Sequence, residues 1–150
     1  IIGQNFGSKS YSRVKESYFK AVVYGFVLMI ISGLIIFVSA DKIVSIFSDN
    51  QEVISYGSLY LKISALIFPA YPIFFISNGF FMAIKKSSYS MFLNIIRNVI
   101  LPIPTILVAK YFDGGFDTFF WSYCFFNWFY VICLFIYVKS YIKKNLNQIR

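Results

Sequence analysis

Uncharged, strongly apolar stretches dominate the chain and recur four times. They cover residues 21–40, 63–84, 87–109 and 118–138, and only the third contains a charged residue, Arg97. Each stretch reaches the roughly 20 residues that an α-helix needs to cross the hydrocarbon core of a bilayer. None keeps the alternation with a period of two that a β-barrel strand requires. The pattern therefore predicts an all-α membrane protein with four transmembrane helices, which we call spans A, B, C and D.

The overall composition supports the bilayer as the solvent of this chain. Hydrophobic residues make up 59% and charged residues 13% of the sequence, and the mean hydropathy is +0.70. A soluble domain has about 45–50% apolar and about 25% charged residues. The chain has no histidine and two cysteines, which argues against zinc hydrolases and histidine-dependent catalytic triads. We therefore expect no enzyme, no catalytic residue, no metal site and no cofactor.

Apart from Arg97, the basic residues lie at the ends of the predicted helices. Ten of them precede span A, separate spans B and C, or follow span D: Lys9, Arg13, Lys15, Lys20, Lys85, Lys86, Lys139, Lys143, Lys144 and Arg150. The two opposite flanks hold only Lys42, Lys62 and Lys110. The positive-inside rule then places both ends in the cytoplasm, as in a multi-pass protein of the plasma (inner) membrane. Since this rule accounts for the net charge of +8, nucleic acid is not an expected partner.

Two of the connecting segments carry local signals. Residues 39–58 contain Ile43, Val44, Ile46 and Phe47 at helical spacing, so this segment is either a short amphipathic helix on the outer surface or an irregular loop. Asp113-Gly114-Gly115 predicts a tight turn, because glycine accepts a positive φ without cost. Spans C and D are therefore expected to form a hairpin.

Arg97 lies close to the middle of span C, where a guanidinium must face protein or water and not lipid. Asn94 and Asn98 are expected to extend it into a polar strip on one side of the helix. Pro102 and Pro104 lack the amides that would bond the carbonyls of residues 98 and 100, which leaves acceptors near the midplane within reach of Arg97. The strip either contacts a transported substrate or ties the kink to a neighbouring helix.

Spans B and D contain further candidate residues. Pro69 and Pro72 predict a kink in span B that frees the carbonyls of residues 65 and 68. This kink either acts as a hinge for alternating access or only shapes the packing. Asn78 follows in the same span as a polar cavity candidate, and Asn127 in span D must point inward because an unpaired amide is costly in hydrocarbon. An interhelical hydrogen bond is the expected role of Asn127.

Short motifs along nearly the whole chain resemble those of the multidrug and toxic compound extrusion (MATE) family. The residues Gln4, Asn5 and Gly7 resemble the Q-N-x-G-A segment that follows the second helix of each lobe. The further similar segments are Ile46 to Asp49, Tyr60 to Ile63, Asn78 to Phe81, Ile96-Arg97, Ile103-Pro104, Asp113 to Gly115 and Trp121.

The resemblance implies a fold and a function. Members of this family have two six-helix lobes related by pseudo-symmetry and export organic, often cationic, compounds against Na⁺ or H⁺. Spans A to D resemble helices nine to twelve, in the C-terminal lobe. The first residue is not methionine, so we expect a fragment whose partners are the lipid bilayer, a small organic substrate, the missing N-lobe and the first helices of the C-lobe.

Departures from the family pattern leave alternatives open. Some branches carry a carboxylate in the helix that matches span B, and this span has no Asp or Glu. The sequence is in this respect more similar to the branch related to the DNA-damage-inducible F proteins, whose coupling acid lies in the N-lobe. A lipid-linked oligosaccharide flippase of the same superfamily and a self-contained four-span membrane scaffold are the two rival hypotheses.

Overall fold

Helices joined by short turns make up the part of the chain that a computed structural model describes, residues 1–146. In chain order they are α1 (Ile2–Gly7), α2 (Tyr11–Ser45), α3 (Gln51–Ile67), α4 (Ala70–Ala83), α5 (Ser87–Ile95), a π-helical segment (Ile96–Ile100), α6 (Pro102–Tyr111) and α7 (Phe116–Asn145). By length and hydropathy, α2, α7 and the run from Ser87 to Tyr111 are each able to cross a membrane. The pair α3 and α4, bent by 50°, provides a fourth span if it is counted as one. These helices confirm an all-α membrane protein.

The segment after span A differs from both predictions made for residues 39–58. Helix α2 continues without interruption to Ser45, and α3 begins at Gln51. Ile43 and Val44 therefore belong to the last turn of the long helix, and only five residues connect the two helices. Asn50 caps α3 through its side-chain oxygen, which accepts the Glu52 amide at 2.9 Å. A surface helix and a long irregular loop are both wrong, because α2 continues to Ser45 and the cap at Asn50 starts α3 at Gln51.

The α6–α7 turn is where the sequence predicts it, but its conformation differs. Neither Gly114 nor Gly115 has a positive φ; instead Asp113 takes the left-handed position with φ 47°. Aspartate tolerates this region better than most residues, since its short polar side chain can bond the local backbone. Spans C and D therefore form the expected hairpin, with the unusual backbone angle one residue earlier than expected.

Helix α2 packs against both arms of the bent pair α3–α4. Two of its glycines make this possible. A Cβ placed on Gly33 would lie 2.8 Å from the carbonyl oxygen of Ala65, and one on Gly25 would lie 2.8 Å from Cβ of Pro72. Such close backbone approach is the means by which small residues drive helix association in membranes. The two glycines thus allow α2 to pack closely against the bent pair α3–α4.

The two ends of the bundle differ in charge. The α1 residue Gly3 lies next to Ala83 at the end of α4, and Tyr141 of α7 contacts Phe81 of α4. The basic segments around Lys9, Lys85 and Lys139 therefore lie at one end. Of the ten basic residues assigned to that end, Arg150 lies outside the described residues. At the opposite end, Asp41 accepts a hydrogen bond from Lys62 at 2.8 Å, and this bond lowers the pKa of the Asp41 carboxyl.

Candidate functional site

Arg97 is held inside the bundle by the aromatic side chains of α4. The residue lies in the π-helical segment and is 7% exposed. Its guanidinium carbon lies 4.2 Å from the ring centre of Phe74, 4.8 Å from that of Tyr71 and 5.5 Å from that of Phe75. These distances are within the range of cation–π attraction, worth about 0.5–2 kcal/mol each depending on solvation. The prediction that Arg97 faces protein or water is confirmed, and the structure shows that protein surrounds it.

The guanidinium nevertheless has unused hydrogen-bonding capacity. Within residues 1–146 its Nη1 is buried and has no hydrogen-bond partner. The carbonyls of Asn98 and Ile100 were expected within reach of Arg97, but neither accepts a hydrogen bond from it in this part of the chain. The π-helical turn changes the local backbone bonding instead, since the amide of Leu101 bonds the carbonyl of Ile96 at 2.8 Å. Aromatic rings contact the guanidinium, but no anion among the described residues balances its charge.

Two hydrogen bonds through Ser90 lie on the side of Arg97 toward the basic end of the bundle. Asn94, three residues before Arg97, donates to the carbonyl of Ser90 at 2.8 Å. The Ser90 hydroxyl in turn bonds the side-chain oxygen of Asn78 on α4. The structure thus joins Asn78 and Asn94 on the face of span C that Arg97 shares.

Asn98 is not part of this strip, contrary to the prediction. It is exposed, whereas the adjacent Arg97 is buried. Consecutive helical residues point about 100° apart, and α4 packs on the side of Arg97. The spacing within one helix could not reveal which side the neighbouring helix would cover.

The bend between α3 and α4 is centred on Pro69, as predicted, but its carbonyls are bonded differently. The carbonyls of Ala65 and Phe68 are not free: they accept the amides of Phe68 at 3.3 Å and Tyr71 at 3.1 Å. Tightening of the last turn to i→i+3 bonding satisfies them. The carbonyl of Leu66 accepts from a side chain, the indole Nε1 of Trp128, at 3.0 Å. The expectation of free acceptors at residues 65 and 68 is therefore wrong.

Pro102 and Pro104 accompany the second break without a comparable bend. The π-helical turn ends at Ile100, and Pro102 occupies the first position of α6, where the missing amide costs nothing. The Thr105 hydroxyl donates to the carbonyls of Pro102 at 2.6 Å and Leu101 at 3.2 Å. On the other side of the break, Tyr130 donates to the carbonyl of Leu93 at 3.0 Å.

Helix α7 therefore contacts both breaks with side-chain donors that the sequence analysis missed. Trp128 and Tyr130 are two residues apart, and each bonds a carbonyl of a different interrupted span. A buried or half-buried Trp or Tyr usually finds an acceptor for its polar atom, which is the only signal that pointed to them.

Asn127, which lies between aromatic residues of α7, is fully buried as predicted, but neither of its amide atoms has a partner within residues 1–146. The expected interhelical bond of Asn127 is not made there.

A cavity of about 320 Å³ lies between the two breaks, bounded by α3, α4, α6 and α7. Tyr71 and Pro102 border it, and Tyr71 is also in contact with Arg97. Its polar lining consists of three tyrosines and a serine, Tyr60, Tyr71, Tyr123 and Ser64, beside the rings of Phe119 and Phe120. None of the residues that line it carries a charge.

The fold and this site define a class of protein. Several membrane-spanning helices, two of them interrupted near the middle, surround a partly polar interior with a buried arginine, and interrupted helices of this kind are typical of membrane transporters. The MatE family model matches residues 1–108. This range covers all of the helices except the last part of α6 and the whole of α7. The chain therefore belongs to the MatE family of membrane transporters. A comparison with curated proteins gives no match.

Proposed function

We propose that this chain is the C-terminal part of a secondary transporter that exports organic compounds by Na⁺ or H⁺ antiport. Spans A to D would correspond to helices nine to twelve, and the N-lobe and the first helices of the C-lobe would complete the carrier. Family membership supports transport in general. The direction of transport, the coupling ion and a location in the plasma membrane with both ends cytoplasmic are the finer parts of this proposal.

The observation that carries the proposal is the pair of helix breaks on either side of one cavity. Ile67 and Tyr71 flank the Pro69 bend and line the cavity from one side, while Pro102 lines it from the other. Movement at either break would change the shape of the cavity, as alternating access requires. We therefore propose Pro69 and Pro72 as one hinge, and Pro102 and Pro104 as the second.

The polar interior supplies the candidate substrate contacts. Asn78, Asn94, Arg97 and Asn127 are at least half-buried within the bundle. Arg97 and Asn127 have polar atoms without a hydrogen-bond partner among residues 1–146. Asn98 is exposed, so its contacts would be with lipid or with the rest of the carrier. We propose that these inward-facing residues, with the aromatic lining, form part of the substrate pathway.

Reconstitution of the complete carrier in liposomes tests the function. We expect an imposed Na⁺ or H⁺ gradient to drive movement of at least one organic compound from a panel containing ethidium and 2-naphthoate. Empty liposomes are the control. If neither gradient moves any compound but a fluorescent lipid-linked oligosaccharide changes leaflet, the flippase hypothesis is correct and the efflux proposal is wrong.

A further inference from the structure

An apolar groove of about 460 Å³ lies on the surface of the bundle between α5 and α7. Each side contributes four residues at the helical spacing i, i+3, i+4 and i+7: Tyr89, Phe92, Leu93 and Ile96 on one side, and Tyr130, Cys133, Leu134 and Tyr137 on the other. Leu93 and Leu134 form a buried floor, whereas Phe92 is 59% exposed at the rim. The groove is therefore open along its length, and none of the residues that line it carries a charge.

The groove runs from the basic end of the bundle toward the middle of the membrane. The rings of Tyr89 and Tyr137 stack at one end, with their centres 6.5 Å apart, and Ile96 marks the other end beside Arg97. Tyrosine is favoured at the level of the lipid headgroups. The seven residues from Tyr89 to Ile96 rise about 10 Å, which is less than half of the roughly 30 Å hydrocarbon core. The groove thus has the position and direction of one acyl chain in one leaflet.

Two exposed lysines lie beyond the tyrosine end of the groove. Lys86 is in the turn directly before Tyr89, because the Tyr89 amide donates to the Lys86 carbonyl at 3.0 Å. Lys144 follows Tyr137 by seven residues, which places it on the same face of α7, two turns closer to the basic end. Both lysines are exposed, and neither forms an ion pair within residues 1–146. They therefore flank the open end of the groove at the membrane surface.

The protein does not balance the positive charge at this end. Of the six acidic residues, only Glu16 is on this side of the membrane, and it pairs with Lys20 at 2.7 Å. Lys85, beside Lys86, has φ 62°, a left-handed position after a helix that glycine occupies with the least strain. The chain nevertheless carries a second positive charge there. Basic residues at the end of an apolar groove between membrane helices match an amphiphile with an anionic headgroup.

We propose that the α5–α7 groove binds an anionic phospholipid from the leaflet that meets the basic end. One acyl chain lies between the two helices, and the phosphate lies at the membrane surface between Lys86 and Lys144. A zwitterionic lipid fills the groove equally well, but its own cationic group leaves the lysines without a net counter-charge. The inference goes beyond the proposed transport function and depends on neither the substrate nor the coupling ion.

Native mass spectrometry of the complete, delipidated carrier in detergent tests the inference. The probes are phosphatidylglycerol and phosphatidylcholine with identical acyl chains, and the measured quantity is the dissociation constant of the first bound lipid. We expect wild-type protein to bind phosphatidylglycerol about tenfold more tightly. The double variant Lys86→Gln/Lys144→Gln should bind it only as tightly as phosphatidylcholine. Lys9→Gln/Lys15→Gln, which removes two charges from the same end on the α2 side, should leave both affinities unchanged.

A second pair of variants tests the groove itself. Cys133 lines the groove and is exposed, so Cys133→Trp places an indole where the acyl chain lies. Loss of contact with even two methylene groups weakens binding by about tenfold, and this loss should be the same for both lipids. Ile132→Trp is the control, because Ile132 is exposed on the same helix but does not line the groove. It should change neither affinity.

Three outcomes overturn the inference. Equal affinity of the wild-type protein for the two lipids would mean that the lysines hold no headgroup. Equal weakening by the two lysine pairs would assign the preference to the overall charge of this end. Lipid binding that Cys133→Trp does not change would mean that another helix of the carrier covers the groove. None of these results bears on gradient-driven transport, which the liposome experiment tests separately.

Discussion

Two proline-containing breaks interrupt neighbouring spans of this bundle, and they have opposite consequences. At Pro69 the chain bends by 50° between α3 and α4. At Pro102 the run from Ser87 to Tyr111 still continues as one 25-residue span. The difference lies in where each proline falls relative to a new helix and in what packs against the break.

Pro102 is the first residue of α6, and the π-helical turn before it absorbs the change in hydrogen bonding. Pro69 has no such turn before it, and the carbonyls around it are satisfied by tight i→i+3 bonds and by Trp128. Helix α2 then packs its glycines onto the bent region. Proline therefore marks where a helix is interrupted, and the local backbone together with the tertiary contacts determines the angle.

The largest expected effect comes from filling the contact between α2 and the bend. Gly33→Ala places a Cβ 2.8 Å from the backbone oxygen of Ala65, which cannot move without shifting α3. We expect a loss of about 1–3 kcal/mol of stability, as in other overpacked interiors, seen as a lower thermal unfolding midpoint of the complete carrier in detergent.

Gly79→Ala is the matched control for this prediction. Gly79 lies in α4 with no atom within 4 Å of an added Cβ. Alanine is the better helix former by up to about 1 kcal/mol, so this variant should be as stable as wild type or more stable. Equal destabilisation by both substitutions would contradict the close packing of α2 on the bend.

Removing each proline compares the breaks directly. Pro69→Ala should straighten the α3–α4 pair and lengthen the distance between spin labels at positions 56 and 82 by about 4 Å, from the 1.5 Å rise per residue. Both labelled positions are exposed. Pro102→Ala should leave the shape of span C unchanged, measured with labels at positions 91 and 111. An unchanged 56–82 distance in Pro69→Ala would show that packing alone maintains the bend.

The hydrogen bonds from α7 to the two breaks can be removed one at a time. Trp128→Phe removes the donor to the Leu66 carbonyl, and Tyr130→Phe removes the donor to the Leu93 carbonyl. Each should lower the free energy of unfolding by about 1 kcal/mol, measured as a lower thermal unfolding midpoint. Only Trp128→Phe should alter the 56–82 distance. The exposed Trp121 provides the control, because Trp121→Phe should have no effect. Identical changes from Trp128→Phe and Trp121→Phe would remove this bond from the account of the bend.

The smallest expected effect concerns the ion pair between Lys62 of α3 and Asp41 near the C-terminal end of α2. Lys62 lowers the pKa of Asp41 in the folded protein, so the pair stabilises the fold above the ordinary carboxyl pKa of about 4. This contribution is lost as the pH falls through the lowered pKa. Asp41→Asn should therefore unfold at a slightly lower temperature than wild type at pH 7. The difference between the two unfolding midpoints should vanish at low pH. A difference that grows on acidification would contradict this assignment.

Much of the architecture followed from the sequence. Hydrophobic length predicts four spans because a bilayer of fixed thickness leaves few alternatives to a helix of about 20 residues. The same reasoning placed Arg97 and Asn127 inside, and Pro69 at a break. Each of these outcomes follows from the chemistry of a single residue in a bilayer, so predicting it needed no knowledge of neighbouring helices.

The tertiary structure decided the partners. The rings of α4 around Arg97, the exposure of Asn98 and the bonds from Trp128 and Tyr130 depend on which helix faces which. The start of α3 at Gln51 depended on the cap at Asn50. Hydrophobicity determines that a helix enters the membrane, but it is non-directional. Close contacts and hydrogen bonds are directional, and they exist only once the helices have packed.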